Sequence, residues 1–228
     1  LEFRRVLFRS GPGVRYVVFL QGCPLRCAYC HNPDTWDFSG GEEKEAADLA
    51  REICRYKMYF GDKGGVTVSG GEPLMQPAFV GELFRLLHGE GIHTALDTSG
   101  VWADWDGACL VLDHTDLVLG DLKFTTPEEY RLHCKADMEK PLAFYRLAEE
   151  RGIPLWVRHV VVPGLNDSLE DMGKIKALAE SFSNLEKIEW LPFHNLCVEK
   201  YQSLGIPFPL AGTDNMDEEA LQRLMDSL

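Results

Sequence analysis

The chain has 228 residues, 45% of them hydrophobic, and a formal net charge of -13 at pH 7. This length and composition are typical of one folded domain with a substantial core. The negative charge disfavours nucleic acid, itself a polyanion, as a partner. The longest apolar runs, such as residues 16–20, fall far short of the roughly 18 residues that cross a bilayer, so we expect no membrane partner.

The seven cysteines are unevenly distributed along the chain. Three lie close together in one segment, and the other four are scattered singly at Cys54, Cys109, Cys134 and Cys197. An odd number without regular spacing differs from the disulfide framework of a secreted protein. We therefore expect a cytoplasmic protein in which the scattered cysteines are packing residues or surface thiols.

The first ten residues, LEFRRVLFRS, contain no initiator Met, and the first Met in the chain is Met58. They also lack the apolar stretch and the small-residue cleavage site of a signal peptide. We expect residues 1–10 to be a non-native or replaced N-terminal segment and residues 11–228 to form one domain.

Taken in chain order, the remaining sequence alternates between two patterns. Runs of β-branched and aromatic residues predict strands at 16–20, 66–69, 93–97, 117–122, 155–162 and 187–191. Charged or amphipathic segments predict helices at 42–56, 77–90, 140–151, 168–181 with Ser168 as N-cap, and from 217 onwards. About six βα units of this kind predict an α/β fold with a parallel sheet, either open and doubly wound or a full or partial barrel.

The polar motifs all accompany predicted strands. In chain order they are QGCPLRCAYC, GGEP, DTSG, DLK, VRH and PFHN, one for each strand. In both parallel architectures the loops after the carboxyl ends of the strands gather on one face, where ligands bind. We expect these motifs to share that face.

Cys23, Cys27 and Cys30 have the spacing C-x3-C-x2-C. Zinc sites usually combine two paired knuckles, and this sequence has no second Cys pair and no His-x3-His element. Buried free thiols are a further alternative. A four-iron cluster takes one ligand per iron, so three thiolates leave one iron open for a substrate. The loop therefore predicts a [4Fe-4S] cluster with three Cys ligands.

With Tyr29 before the last cysteine, this loop resembles the signature loop of the radical S-adenosylmethionine enzymes. The resemblance implies a partial (β/α)6 barrel, with S-adenosylmethionine on the open iron. It also implies that the reduced cluster cleaves S-adenosylmethionine to methionine and a 5'-deoxyadenosyl radical. Gly70, Gly71 and Glu72 match the family's Gly-Gly-Glu element, which receives the methionine ammonium group, although such a motif can also be only a tight turn.

Further segments resemble one branch of the family, the pyruvate formate-lyase activating enzymes, from about residue 11 to residue 210. They are CHNPDTWD (30–37), LDTSG (96–100), DLK (121–123), VRHVVVPGLND (157–167) and LPFHNL (191–196). The resemblance implies that Lys123, Arg158 and His194 contact S-adenosylmethionine. It also implies a monovalent cation, whose ligands would be Asp97, Thr98, the Leu119 carbonyl and Asp121. Alternatively, the two aspartates only cap turns.

The same resemblance implies a protein substrate and an electron donor. The substrate would be pyruvate formate-lyase or a similar glycyl-radical enzyme, which loses a hydrogen from one glycine α-carbon, and the donor would be a flavodoxin or ferredoxin. Residues Gly11, Pro12, Gly13 and Arg15 match a D-G-P-G-x-R segment that helps to place the target glycine loop, with Ser10 at the Asp position.

Other functions remain open at this stage. Activating enzymes of several other glycyl-radical enzymes carry a cysteine-rich insert, whereas here only Cys54 lies between Cys30 and Gly70. A radical enzyme acting on a small molecule, such as a 7-deazaguanine-forming synthase, would share the cysteine loop and the GGE element. A ribonucleotide reductase activase is normally shorter. A non-catalytic iron–sulfur or zinc-binding module would produce no deoxyadenosine.

Overall fold

The computed structural model describes residues 10–228, so the predicted terminal segment lies outside the described residues except for Ser10. Six parallel strands form one sheet, and each pairs with the next strand along the chain. They are β1 (Arg15–Leu20), β2 (Gly65–Gly70), β3 (His93–Thr98), β4 (Leu117–Asp121), β5 (Leu155–Val161) and β6 (Leu185–Pro192). A doubly wound sheet changes direction in its strand order. The sequential order excludes that alternative and confirms the partial barrel.

Nine α-helices connect or follow these strands in the described part of the chain. They are α1 (Ala46–Cys54), α2 (Lys57–Phe60), α3 (Pro77–Gly89), α4 (Trp105–Leu112), α5 (Pro127–Glu129), α6 (Glu139–Glu150), α7 (Leu169–Glu180), α8 (Val198–Ser203) and α9 (Glu218–Asp226). Short 3-10 turns lie at Pro33–Thr35 and Pro73–Met75, and a π-helix at Tyr130–Cys134 continues α5. No helix among these combines the length and apolar character needed to cross a membrane.

The strand predictions are confirmed to within two residues at each end, but the helix predictions are less complete. Helix α1 is shorter than predicted, and α2, α4, α5 and α8 were not predicted. Helix α1 begins at Ala46 rather than at residue 42, because the N-cap Glu45 is still in an extended conformation. Helix α4 was not predicted, since WDGACLVL has no regular polar face; the Asp104 side chain starts it by accepting a hydrogen bond from Gly107 N at 2.8 Å. The Ser168 N-cap is confirmed, with Asp171 N donating to Ser168 Oγ at 3.1 Å.

The alternation of side chains along each strand separates two apolar layers. On the outer face Val66 and Val68 pack in the main core with Leu83 and Phe84 of α3. On the inner face a smaller cluster contains Ala95, Leu117 and Leu119 with Trp156 against it. We call this inner cluster the apolar plug. The polar side chains on the inner face of the strands lie above and below it along the barrel axis.

A third cluster covers the cysteine loop at the carboxyl ends of the strands. Leu25, Cys27 and Tyr29 of that loop pack in it with Phe193 and Tyr201, which follow β6. The C-terminal part of the chain thus contributes to the surroundings of the cysteines.

Candidate active site

The cysteine loop follows β1 and is fixed by backbone hydrogen bonds to two other segments. Gly22 N donates to Thr35 O at 2.9 Å, which ties the start of the loop to the turn that follows it. Arg26 N and Ala28 N donate to the carbonyls of Cys134 and His133 at 2.8 and 2.7 Å. The π-helix therefore packs along one side of the cysteine loop and fixes its backbone. The sequence did not indicate this contact.

The three cysteines of this loop differ in their surroundings. Cys27 is buried, and the neighbouring Cys134 thiol lowers the pKa of Cys27. Burial raises the pKa of Cys23 to about 12 and that of Cys30 to about 11. The three thiols are thus close in sequence but are not equivalent acids.

The donor set fits a multi-iron cluster better than a single ion. Within residues 10–228, no three His, Cys, Asp or Glu side chains are close enough together to hold one metal ion. A four-iron cluster distributes its thiolates over separate iron atoms, so their sulfurs do not have to meet at one point. The zinc alternative, which requires four ligands around one ion, has no such set in this part of the chain.

The SGGEP turn lies directly against the cysteine loop. Gly70 has a φ of +112°, and a Cβ there would lie 2.3 Å from Leu20 N. A Cβ on Gly71 would lie 2.4 Å from the Gly22 carbonyl oxygen. Glu72 N then donates to that same carbonyl at 2.8 Å. Both glycines are therefore required for the close contact between the two loops.

Glu72 is almost fully buried, and its carboxylate is bound within the chain. Its Oε1 accepts hydrogen bonds from Thr98 Oγ1 at 2.6 Å and Leu74 N at 3.0 Å, and its Oε2 accepts from Ser99 N at 2.8 Å. Burial raises the pKa of Glu72 to about 7. The carboxylate thus joins the SGGEP turn to the end of β3. Its direct contact with a ligand ammonium group stays a prediction and requires one of these bonds to be exchanged.

Four strand ends contribute a polar layer inside the barrel, above the apolar plug. Asp97 of β3 accepts a hydrogen bond from Ser69 Oγ at 2.8 Å and forms an ion pair with Arg158 of β5 at 2.9 Å. The Asp97 charge raises the pKa of Arg158. Glu189 of β6 lies 3.7 Å from Arg158 Nε. The guanidinium is held between carboxylates from both sides.

Lys123 follows β4 and forms a second, partly buried ion pair. Its Nζ lies 2.9 Å from Asp121 Oδ2. Burial lowers the pKa of Lys123, but the charge of Asp121 and the nearby Cys27 thiol outweigh that effect and hold the pKa well above its ordinary value. The ammonium is also 5.9 Å from the centre of the Tyr29 ring in the cysteine loop. Lys123 therefore remains a cation beside the predicted cluster.

The four predicted cation ligands lie at the ends of two neighbouring strands. Asp97 is paired in register with Leu119, and Thr98 with Gly120, which precedes Asp121. The Tyr145 hydroxyl of α6 lies 3.1 Å from the Thr98 carbonyl oxygen and 3.2 Å from that of Asp121, and so bridges the two strand ends. The structure brings these ligands together, and each of the two carboxylates already has a cationic partner.

Buried polar atoms without a hydrogen-bond partner are concentrated at this end of the barrel. Within the described residues, five of them belong to the cysteine-loop region, β5 or the segment after β6: Tyr29 Oη, His31 Nε2, Trp36 Nε1, Arg158 Nε and His194 Nδ1. The rings of His31 and His194 lie 4.1 Å apart. Buried polar groups are normally hydrogen-bonded. This end of the barrel therefore has unused hydrogen-bonding groups, and binding of S-adenosylmethionine by them stays a prediction.

The predicted peptide segment lies at the other end of the barrel, where β1 begins. The Arg15 side chain is 4% exposed, and its nitrogens donate to Thr67 Oγ1 at 2.6 Å, to the Pro12 carbonyl at 3.2 Å and to the Val66 carbonyl. Burial lowers the pKa of Arg15 to about 10. Arg15 therefore holds the turn containing Gly11 and Gly13, and contact with a partner peptide stays a prediction.

Several residues of the site were not predicted from the sequence. Ser69 and Glu189 meet predicted residues only through the strand register, and Tyr145 only through the packing of α6 against the strand ends, which no sequence pattern shows. Lys200 of α8 lies 2.9 Å from both Asn32 Oδ1 and Asp34 Oδ1. Next to it, the Tyr201 hydroxyl donates to the Cys30 carbonyl at 3.0 Å. Helix α8 thereby fastens the end of the cysteine loop.

Comparison with known sequences gives relatives along nearly the whole chain. The pyruvate formate-lyase-activating enzyme of Clostridium pasteurianum is 42% identical over 217 residues, which cover 94% of this chain and 90% of the relative. That of Staphylococcus aureus strain USA300 is 43% identical over 221 residues, covering 93% of this chain and 88% of the relative. Each alignment thus covers most of this chain and most of the relative.

Solved structures agree with the sequence relatives. A domain of pyruvate-formate lyase-activating enzyme from Bacteroides vulgatus has a TM-score of 0.55 at 27% identity and covers 72% of this chain and 91% of that one. Streptococcus suis SuiB bound to S-adenosylmethionine has a TM-score of 0.71 at 13% identity, over 94% of this chain and 46% of SuiB, and shows the shared fold. The family model for the Radical SAM superfamily matches residues 17–175. The chain therefore belongs to the Radical SAM superfamily.

Proposed function

We propose that this chain is an activating enzyme of pyruvate formate-lyase. The observation that carries the proposal is the three-cysteine loop at the carboxyl end of β1, surrounded by buried polar atoms that have no partner within the described chain. The family implies a [4Fe-4S] cluster and S-adenosylmethionine. Bound together, they would supply a 5'-deoxyadenosyl radical that takes a hydrogen from the α-carbon of one glycine in the partner. Relatives that are 42% identical over 94% of the chain carry this activity in their names.

Cys23, Cys27 and Cys30 would hold the cluster. The backbone bonds from Arg26 and Ala28 to the π-helix support this assignment, because they fix the loop without using its sulfurs. A fixed loop loses little conformational entropy on binding its metal.

The polar layer above the apolar plug would bind S-adenosylmethionine. The zwitterionic methionine end needs cations for its carboxylate, and Lys123 and Arg158 are cations held in place by ion pairs. His194 and Tyr29 offer unpartnered polar atoms near the same face. Gly70, Gly71 and Glu72 would lie beside the ammonium group.

A monovalent cation would lie among Asp97, Thr98, the Leu119 carbonyl and Asp121. Two carboxylates near the carboxylate of a substrate repel it unless positive charge lies between them. Arg158 and Lys123 supply part of that positive charge. When the substrate carboxylate binds, the monovalent cation would balance the additional negative charge.

The proposed activity requires two partner proteins, an electron donor and a protein substrate. A flavodoxin or ferredoxin would reduce the cluster, and pyruvate formate-lyase would present its glycine loop to the carboxyl end of the barrel. The turn that Arg15 holds would support this docking from the amino end, through the backbone of Gly11, Pro12 and Gly13.

The test is activation of pyruvate formate-lyase under anaerobic conditions. The reconstituted, reduced protein is mixed with S-adenosylmethionine and pyruvate formate-lyase, and the glycyl radical is counted by electron paramagnetic resonance. We expect one organic radical signal that depends on S-adenosylmethionine and disappears when the target glycine is replaced by alanine. Deoxyadenosine formation without any radical on pyruvate formate-lyase would contradict the partner assignment and favour another substrate.

A further inference from the structure

A groove of about 600 Å³ lies beside the cysteine loop, and the proposed function has not used it so far. The cysteine loop and the turn after it contribute Arg26, Trp36 and Phe38 to its walls, and the segment after α8 contributes Leu204 and Ile206. We call it the loop groove. In the described part of the chain, its lining residues do not belong to the polar layer assigned to S-adenosylmethionine. The groove thus reaches the cysteine loop without passing through that layer.

The walls of the loop groove are in direct contact with the backbone at the start of the cysteine loop. Arg26 Nη1 donates a hydrogen bond to the Cys23 carbonyl at 2.8 Å, and Cys23 N donates to the Trp36 carbonyl at 3.4 Å. The Phe38 ring packs on Gly22 so closely that a Cβ there would overlap it. Because electron transfer slows steeply with distance, a molecule bound in this groove is well placed to reduce a cluster held by the loop.

The apolar part of the loop groove is accessible to a partner. Phe38 is 59% exposed and Leu204 is 45% exposed, and they belong to the two different segments that form the groove. Large exposed apolar side chains around a concave surface are typical of interaction sites. The groove is small, as is usual for electron-transfer complexes, which bury less surface than stable assemblies. These features favour a transient redox partner.

The charge of the loop groove favours an anionic group. Arg26 is exposed, and within residues 10–228 its guanidinium donates to two backbone carbonyls and forms no ion pair. The two lining carboxylates are already bound: Asp34 is paired with Lys200 at 2.9 Å, and Asp37 accepts from Ser39 N and Oγ at 2.8 Å each. A fully reduced flavin is a planar aromatic anion, and a guanidinium both stacks on aromatic faces and pairs with anions.

We propose that the loop groove is the docking site of the electron donor and that this donor is a flavodoxin, whose exposed flavin edge enters between Phe38 and Leu204 beside Arg26. The inference rests on the proposed function, because a donor is needed only if the loop holds a cluster. The flavin anion gives up one electron and becomes a neutral radical, and the oxidised cluster takes up that electron. No proton has to move in this step. The apolar walls match the hydrocarbon edge of the flavin, which an iron–sulfur donor would not present.

The experiment compares cluster reduction in the unaltered protein, Leu204→Glu, Phe38→Glu and the control Leu110→Glu. Leu110 lies on α4, is 63% exposed and does not line the groove. Each reconstituted protein is mixed anaerobically with fully reduced flavodoxin or with dithionite, and the cluster absorbance is followed. We expect the two groove variants to react about tenfold more slowly with flavodoxin and at an unchanged rate with dithionite. The control should match the unaltered protein with both reductants.

Binding is measured separately by calorimetry with oxidised flavodoxin, which requires no turnover. We expect the affinity to fall about tenfold in Leu204→Glu and to stay unchanged in Leu110→Glu. Leu204→Glu decides the outcome if Phe38→Glu, which packs on the cysteine loop, loses its cluster.

Three results would overturn the inference while leaving the proposed function intact. They are equal rates with flavodoxin in all four proteins, a slower reaction of Leu204→Glu with dithionite as well, and weaker activation of pyruvate formate-lyase by dithionite-reduced Leu204→Glu. The last result would assign the groove to the substrate protein. Failure of the unaltered protein to form a [4Fe-4S] cluster would overturn the proposed function together with the inference.

Discussion

The two buried arginines of the barrel, Arg15 at its amino end and Arg158 at its carboxyl end, have opposite surroundings. Arg15 donates to Thr67 Oγ1 and to backbone carbonyls, and burial lowers its pKa to about 10. Arg158 is paired with Asp97, which raises its pKa, yet its Nε has no hydrogen-bond partner. At the amino end the guanidinium donates to uncharged oxygen acceptors, whereas the carboxyl end contains paired charges and unused donors. We therefore expect S-adenosylmethionine to bind at the carboxyl end.

The largest effect at the carboxyl end is expected from Cys27→Ser. Two protein thiolates rarely hold a four-iron cluster, and Cys27 is the buried member of the three. We expect loss of nearly all bound iron and sulfide after anaerobic reconstitution, measured by metal analysis and absorption spectroscopy. Cys54→Ser, in α1, is the control and should keep its full iron content. A stable [4Fe-4S] cluster in Cys27→Ser would contradict the assignment of Cys27 as a cluster ligand.

Glu72→Ala should affect both stability and ligand binding. It leaves the buried donors of Thr98, Ser99 and Leu74 without their acceptor. We expect the free energy of unfolding to fall by about 2–4 kcal/mol, measured by urea denaturation. S-adenosylmethionine should also bind more weakly in a titration followed by cluster spectroscopy.

The control for this change is Glu82→Ala, since Glu82 forms only an exposed ion pair with Arg85. We expect Glu82→Ala to change the free energy of unfolding by less than about 1 kcal/mol. Equal stability of the two variants would show that the buried hydrogen bonds of Glu72 contribute little.

Acid should weaken the carboxyl end through His159 of β5. Its Nδ1 lies 2.7 Å from the Leu122 carbonyl and its Nε2 3.0 Å from Asn166 Nδ2, so the ring is a neutral bridge. Burial lowers the pKa of His159 from 6.5 to about 4. Between these values the unfolded chain binds a proton that the folded chain does not, so the contribution of His159 to stability falls as the pH decreases from 6.5 towards 4. Glu72, whose pKa is raised to about 7, contributes in the opposite direction over the same range, so the effect of His159 is read from a variant that lacks it.

The expected loss from His159 over that range is about 3 kcal/mol in the free energy of unfolding. His159→Gln has no titrating ring and should lose less stability over the same range of pH. Denaturation curves recorded at several pH values test this, and an equal slope for both proteins would assign the acid sensitivity to other groups.

The smallest effect on function is expected at the amino end. Arg15→Met removes the donors to Thr67 and Pro12 and should lower the free energy of unfolding by about 2 kcal/mol. Binding of S-adenosylmethionine should be unchanged, because Arg15 lies at the opposite end of β1 from the cysteine loop. A large loss of S-adenosylmethionine binding in a folded Arg15→Met protein would show that the amino end of the barrel also influences ligand binding.

The sequence predicted the strands well because their β-branched runs are long and regular, as in residues 155–162. It missed α4 and α8, whose sequences lack a clear amphipathic period. The cysteine loop and the partners Lys123 and Arg158 were predicted from motifs and from resemblance. The contacts of Ser69, Tyr145 and Trp36 were not, because they depend on strand register and on the packing of distant segments.

The most direct test of the central claim is formation of 5'-deoxyadenosine by the anaerobically reconstituted, chemically reduced protein supplied with S-adenosylmethionine. Zinc-loaded protein is the control. We predict deoxyadenosine and methionine in equal amounts from the iron–sulfur form and none from the zinc form. No product from a verified [4Fe-4S] protein, with pyruvate formate-lyase also present, would contradict the account.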